Sequence, residues 1–150
     1  MTDDGVGPKI IELLKEQSLP EGVELIDAGT SALDATLHLD KKEFAIFIDA
    51  VSANKPPATV YRLSIDDLSY SSEPIISLHS FKLEDAVRIW QLQLEKLPKI
   101  VIIGVEPKDV KLGLELSPEV SKILPKLCKL VIEELNNARD ELGAGADRED

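Results

Sequence analysis

Phe44-Ala45-Ile46-Phe47-Ile48-Asp49 is the stretch on which the fold turns. Its apolar, β-prone residues follow one another with no polar face, as expected of a strand covered on both sides in a parallel sheet, and the run stops at an acid. Lys99-Ile100-Val101-Ile102-Ile103-Gly104 repeats the pattern. Strands buried on both faces need helices on both faces, so the flanking segments are read for helical spacing.

Val6, Ile10, Leu13 and Leu14 share one helical face and predict a helix over about 6–17, with Pro8 in the first turn, where its missing N–H does no harm. Leu83, Ala86, Val87, Trp90 and Leu94 predict a second over 83–94. Ser117-Pro118-Glu119 is a helix start, with serine at the cap, proline next and an acid in the first turn, and Val120, Leu124, Leu127, Val131 and Leu135 continue the stripe past a kink point at Pro125. Val23-Glu24-Leu25-Ile26-Asp27 predicts a short strand, Ala28-Gly29-Thr30 a turn, and 31–39 a short helix. Asn54-Lys55-Pro56-Pro57 is a loop, and Thr59 to Ile65 alternates with period two, as a half-covered edge strand does. These elements predict an α/β domain over residues 1–142, a three-layer sandwich with a mostly parallel twisted sheet and helices on both faces, followed by a disordered acidic tail, 143–150. Such a sheet has a strand feeding its first helix, whereas this sequence opens inside the turn Thr2-Asp3-Asp4-Gly5-Val6-Gly7-Pro8, so the opening strand is expected upstream.

Composition narrows the function. A chain of 150 residues, 43% hydrophobic, suits one core. Its formal net charge of -11 argues against nucleic acid as a partner, since that affinity rests on neutralising phosphates with Lys and Arg. The lone Cys128 forms no internal disulfide and excludes multi-thiolate metal centres within one chain. No apolar run approaches the roughly 20 residues that span a bilayer, and the start is acidic where a signal peptide is basic. The expectation is a soluble, cytoplasmic monomer.

In open α/β sheets ligands bind at the carboxyl ends of strands. The polar residues there are Asp27, Asp49 and the loop Ser77-Leu78-His79-Ser80, joined by Asp3-Asp4 at the start of the first helix. Taken singly, each has a plainer role. Asp3 and Asp4 suit helix capping, Asp49 is equally a turn-former or a site residue, and His79 is a loop histidine. His38 falls on a helix surface, while Cys128 and Trp90 fall on core-facing stripes. With only His38 and His79 present, no serine or cysteine nucleophile is paired with a base at a recognisable spacing.

Six motifs taken together are more specific. Thr2-Asp3-Asp4-Gly5-Val6-Gly7, Asp27-Ala28-Gly29-Thr30, Ile48-Asp49-Ala50-Val51, Ser77-Leu78-His79, Ile103-Gly104-Val105-Glu106-Pro107 and Leu116-Ser117-Pro118-Glu119-Val120 occur in the order seen in hydrogenase maturation endopeptidases. The chain resembles that family from Thr2 to about Leu135. The resemblance implies an endopeptidase that removes a C-terminal extension from the large-subunit precursor of nickel-iron hydrogenase after nickel insertion. It implies Asp4, Asp49 and His79 as the residues contacting nickel, the ion being supplied by the precursor; in the alternative to metal-assisted chemistry, Asp4 or Asp49 is the catalytic general base on water. Asp27 and Thr30 match a motif implicated in substrate handling. The family's opening strand and Gly-x-Gly-Asn turn are not present in this sequence. A non-catalytic nickel-dependent chaperone for the same large subunit would use the same ligands. A nucleotide-binding module is the weaker rival, because no glycine-rich phosphate loop follows any expected strand.

Overall fold

The computed structural model describes residues 5–27, 38–64, 76–77, 83–108 and 116–148. Helix α1 spans Val6–Leu14. Strand β1 (Phe44–Ser52) follows, then β2 (Val60–Ser64), β3 (Ile76–Ser77), α2 (Leu83–Gln93), β4 (Lys99–Val105), α3 (Pro118–Lys122) and α4 (Leu124–Arg148).

The strands lie in the order β2-β4-β1-β3. β1 and β4, the two continuous apolar runs, pair in parallel from Phe44 opposite Lys99 to Ala50 opposite Val105. β2 joins the far side of β4 antiparallel, and β3 joins β1 antiparallel through Val51 opposite Ser77 and Ser52 opposite Ile76. The mostly parallel sheet expected from the sequence is therefore mixed among the described strands. The reason is the short connection after β1: it reaches β2 in too few residues for a helical crossover, so β2 returns in the opposite direction. The half-covered edge strand expected near 59–65 is β2, at the margin of this sheet.

Alternation along β1 and β4 sends side chains to two apolar clusters. On one face Ile46, Ile48, Ala50, Val101, Ile103 and Val105 pack with α1 and with α3–α4. Val6, Ile10 and Leu14, spaced by four, are 0–1% exposed, which is why α1 forms against the sheet. On the other face Ala45, Phe47, Ile100, Ile102 and Leu63 pack with Trp90 of α2 and with Leu39. Phe47 and Trp90 stack, with ring centroids 4.9 Å apart.

Local signals explain most element ends. The Ser117 hydroxyl accepts from the Val120 N–H at 3.3 Å and caps α3, with Pro118 next and Glu119 in the first turn. Ile123 interrupts the helix just before Leu124 and Pro125; a proline has no N–H for the preceding turn, so one predicted helix becomes two. Helix α4 continues to Arg148, beyond the Gly143 at which a disordered tail is expected. Two salt bridges tie it to the sheet, Arg62 to Glu134 and Lys99 to Glu141.

Among the described residues, one expected strand is not formed. Val23–Asp27 joins no ladder among the described residues, although Leu25 packs on the core. Its apolar side chains meet the burial a strand would provide, but no described neighbour takes up its backbone groups as a ladder. Of the helix expected over 31–39, only His38 and Leu39 are described, both helical, with His38 exposed and Leu39 buried. For β1, pairing with β4 runs along one edge, whereas on the other edge only Val51 and Ser52 have a described strand partner.

Candidate active site

Asp49 sits near the carboxyl end of β1, where the sheet positions ligands. It is 7% exposed, and its Oδ1 accepts from the Ala50 N–H at 2.8 Å, which fixes the orientation of the carboxylate. Across the parallel ladder its partner is Gly104, where the place of a side chain is taken by Val51, on the face that Asp49 shares.

Two other segments meet this part of β1. α1 begins so close to it that a Cβ on Gly7 would stand 2.7 Å from the Ile48 carbonyl oxygen. Gly5 is the N-cap of α1, without a side-chain cap bond, so the Asp3-Asp4 pair precedes the cap in the chain. β3 arrives from the opposite direction, with Ser77 opposite Val51. The predicted site residues Asp4, Thr30 and His79 themselves lie outside the described residues. Asp27 is described and exposed, at the end of a segment that does not enter the sheet. Among the described residues no group of three or more His, Cys, Asp or Glu side chains is arranged to hold a metal ion.

Glu106 is the residue that sequence reasoning passed over except as part of a motif. It leaves the carboxyl end of β4 and is 4% exposed, and its carboxylate accepts from Ala53 N–H at 2.9 Å, Lys55 N–H at 3.4 Å and the Tyr61 hydroxyl at 2.7 Å. Burial, followed by the hydrogen bond and the negative charge of Glu106, pushes the Tyr61 phenol well above its ordinary value. An acid directly after the apolar run Ile100–Val105 was the available signal. Cys128 behaves as expected: it is 9% exposed within the core cluster, and burial raises its thiol pKa, which disfavours a nucleophilic thiolate.

The sequence profile of the hydrogenase maturation proteases matches residues 8–134, most of the chain. The chain belongs to the hydrogenase maturation protease family. The hydrogenase 2 maturation protease of Escherichia coli is 25% identical over 140 residues, covering 92% of this chain and 85% of that protein. The structure of the hydrogenase-maturating endopeptidase HybD from E. coli superposes with a TM-score of 0.78 at 24% identity, over 92% of this chain and 86% of that one, a likeness of fold. The [NiFe] hydrogenase maturation protease HybD from Thermococcus kodakarensis gives 0.72 at 28% identity, over 90% of this chain and 91% of that one. The protease thus has the α/β fold of its family, and no described helix is long and apolar enough to cross a membrane.

Proposed function

We propose that this protease removes the C-terminal extension of a nickel-iron hydrogenase large-subunit precursor after nickel insertion, using Asp4, Asp49 and His79 to contact the nickel that the precursor carries. One observation carries the reading. The start of α1 and strand β3 both abut the Ile48–Val51 segment, Gly7 against Ile48 and Ser77 opposite Val51. In the sequence Asp4 comes three residues before Gly7 and His79 two residues after Ser77, and Asp49 lies within the segment they border.

Carboxylate and imidazole donors suit a borderline divalent ion, and a three-donor set leaves coordination positions for the precursor's own ligands. Metal held there would test whether the substrate is loaded, and could polarise the scissile carbonyl. In the alternative to that metal route, Asp49, whose Oδ1 accepts from the Ala50 N–H, or Asp4 acts as the general base on the attacking water. Asp27 and Thr30 are assigned to substrate handling. The scaffold we infer is a three-layer sandwich, working as a cytoplasmic monomer.

The test is mass-spectrometric cleavage of nickel-loaded precursor by this chain and by Asp4→Ala, Asp49→Ala and His79→Ala variants. Loss of the tail with the unaltered chain alone supports the reading. Precursor that is bound but never cut would mark a nickel-dependent docking chaperone instead.

A further inference from the structure

The strand order β2-β4-β1 forces the chain leaving β1 at Ser52 to cross the carboxyl end of β4 before entering β2 at Val60. Residues 53–59 form that arch, and Glu106 stands beneath it. Besides the three bonds of its carboxylate, Glu106 donates its N–H to Thr59 O at 2.8 Å and accepts from Ala58 N–H at 2.8 Å. A buried carboxylate is costly unless hydrogen-bonded, and the bonds of this one go to the arch and to the strand on which it lands.

The arch is rigid for further reasons. The Thr59 hydroxyl donates to Pro56 O at 2.6 Å, and Pro56-Pro57 fix two φ angles. Asn54 and Ala58 hold φ of 58° and 68°. Asparagine tolerates that region, but for alanine it costs ~1–3 kcal/mol and persists only where the surroundings impose it. Strain of this kind gathers at functional sites. The tip, Asn54 to Pro57, is exposed. At ~3.3 Å per strand residue, Ala53 lies roughly 13 Å beyond Asp49, a distance that about four residues of extended peptide span.

Resting on the protease reading above, we infer that the 53–59 arch is a specificity surface for the precursor polypeptide flanking the scissile bond, with Glu106 as its positioning residue. Glu106 acts through the arch and touches no reacting atom. The tip offers a preformed backbone and one cation, Lys55, to an extended chain.

The experiment compares cleavage kinetics on nickel-loaded precursor, together with thermal melting, for the unaltered chain, a Pro56→Gly/Pro57→Gly pair, Glu106→Gln and Glu106→Leu. The glycine pair loosens the exposed tip without removing any buried group, so it remains informative if Glu106→Leu fails to fold. The expected result is a KM raised about fivefold or more by the glycine pair, with kcat within about twofold. Glu106→Gln, which keeps an acceptor oxygen, should fall between the unaltered chain and Glu106→Leu. An unchanged KM in the folded glycine pair overturns this inference while leaving the protease reading intact. An unaltered chain that neither binds nor cuts the precursor overturns both.

Discussion

Gly104 stands directly opposite Asp49 in the β1–β4 ladder, and a Cβ added to it would come within 2.9 Å of Val51 Cγ2 and 3.4 Å of Tyr61 Cδ2. Val51 is fully buried and cannot give way freely. Gly104→Ala is therefore expected to destabilise the protein by about 1–3 kcal/mol, read as a lowered urea midpoint with unchanged slope. Cleavage should fall as well, because the strain is placed beside Asp49.

Asp49→Asn separates chemistry from folding. The amide oxygen can still accept from the Ala50 N–H, so the melting temperature is expected to stay within about 5 °C of the unaltered protein. Tail removal should drop on the order of a thousandfold or more, since an amide neither takes a proton nor binds a cation as a carboxylate does. Undiminished trimming by a folded variant would remove Asp49 from the site.

Tyr61 sets an alkaline limit. Its folded pKa is raised above the ordinary 10.0, so the protonated phenol is the form that folding favours. The contribution is fully present below pH 10.0 and is lost as pH rises from there through the raised value. Stability measured by denaturant titration should decline in that window, and Tyr61→Phe should flatten the part of the decline due to this residue. An identical slope in the variant would contradict the assignment.

The cap at Ser117 and the core at Trp90 differ in scale. Ser117→Ala removes the acceptor for the Val120 N–H and should cost about 1 kcal/mol. Trp90→Ala empties the centre of the second cluster, where the indole is 1% exposed and stacked on Phe47, and should cost about 3–5 kcal/mol. Chemical denaturation of the two variants side by side checks the ratio.

The exposed salt bridge from Lys99 to Glu141 of α4 should matter little. Lys99 and Glu141 are both more than half exposed, so solvent screening limits that pair to about 0–1 kcal/mol, whereas Glu134 is largely covered and takes two bonds from Arg62. Glu141→Gln is expected to leave the melting curve nearly unchanged at physiological salt.

Much of this was legible in the residues themselves. The apolar runs ending at Asp49 and Gly104 declared buried strands, and Ser117-Pro118-Glu119 declared a helix start, because burial on two faces and satisfaction of free N–H groups are local demands. Val23–Asp27 misled because apolar, β-prone residues report burial, and Leu25 obtains it without a ladder. Pro125 was read as a kink, and its missing N–H does interrupt the helix, the break falling just before it at Ile123.

The sequence by itself determined which segments must be covered, where helices begin, and, through its ordered motifs, the family; the central strand, expected to stop at Asp49, runs on to Ser52. The tertiary structure alone decided that β2 and β3 run against their neighbours, that the start of α1 and the end of β3 each abut the Ile48–Val51 segment, and that Glu106 laces an arch. Strand pairing is made by backbone groups that nearly every residue carries alike, so order and direction leave little mark on residue type. Glu106 finds its carboxylate's partners at Ala53, Lys55 and Tyr61, far away in the chain, and only the folded sheet brings them within hydrogen-bonding distance.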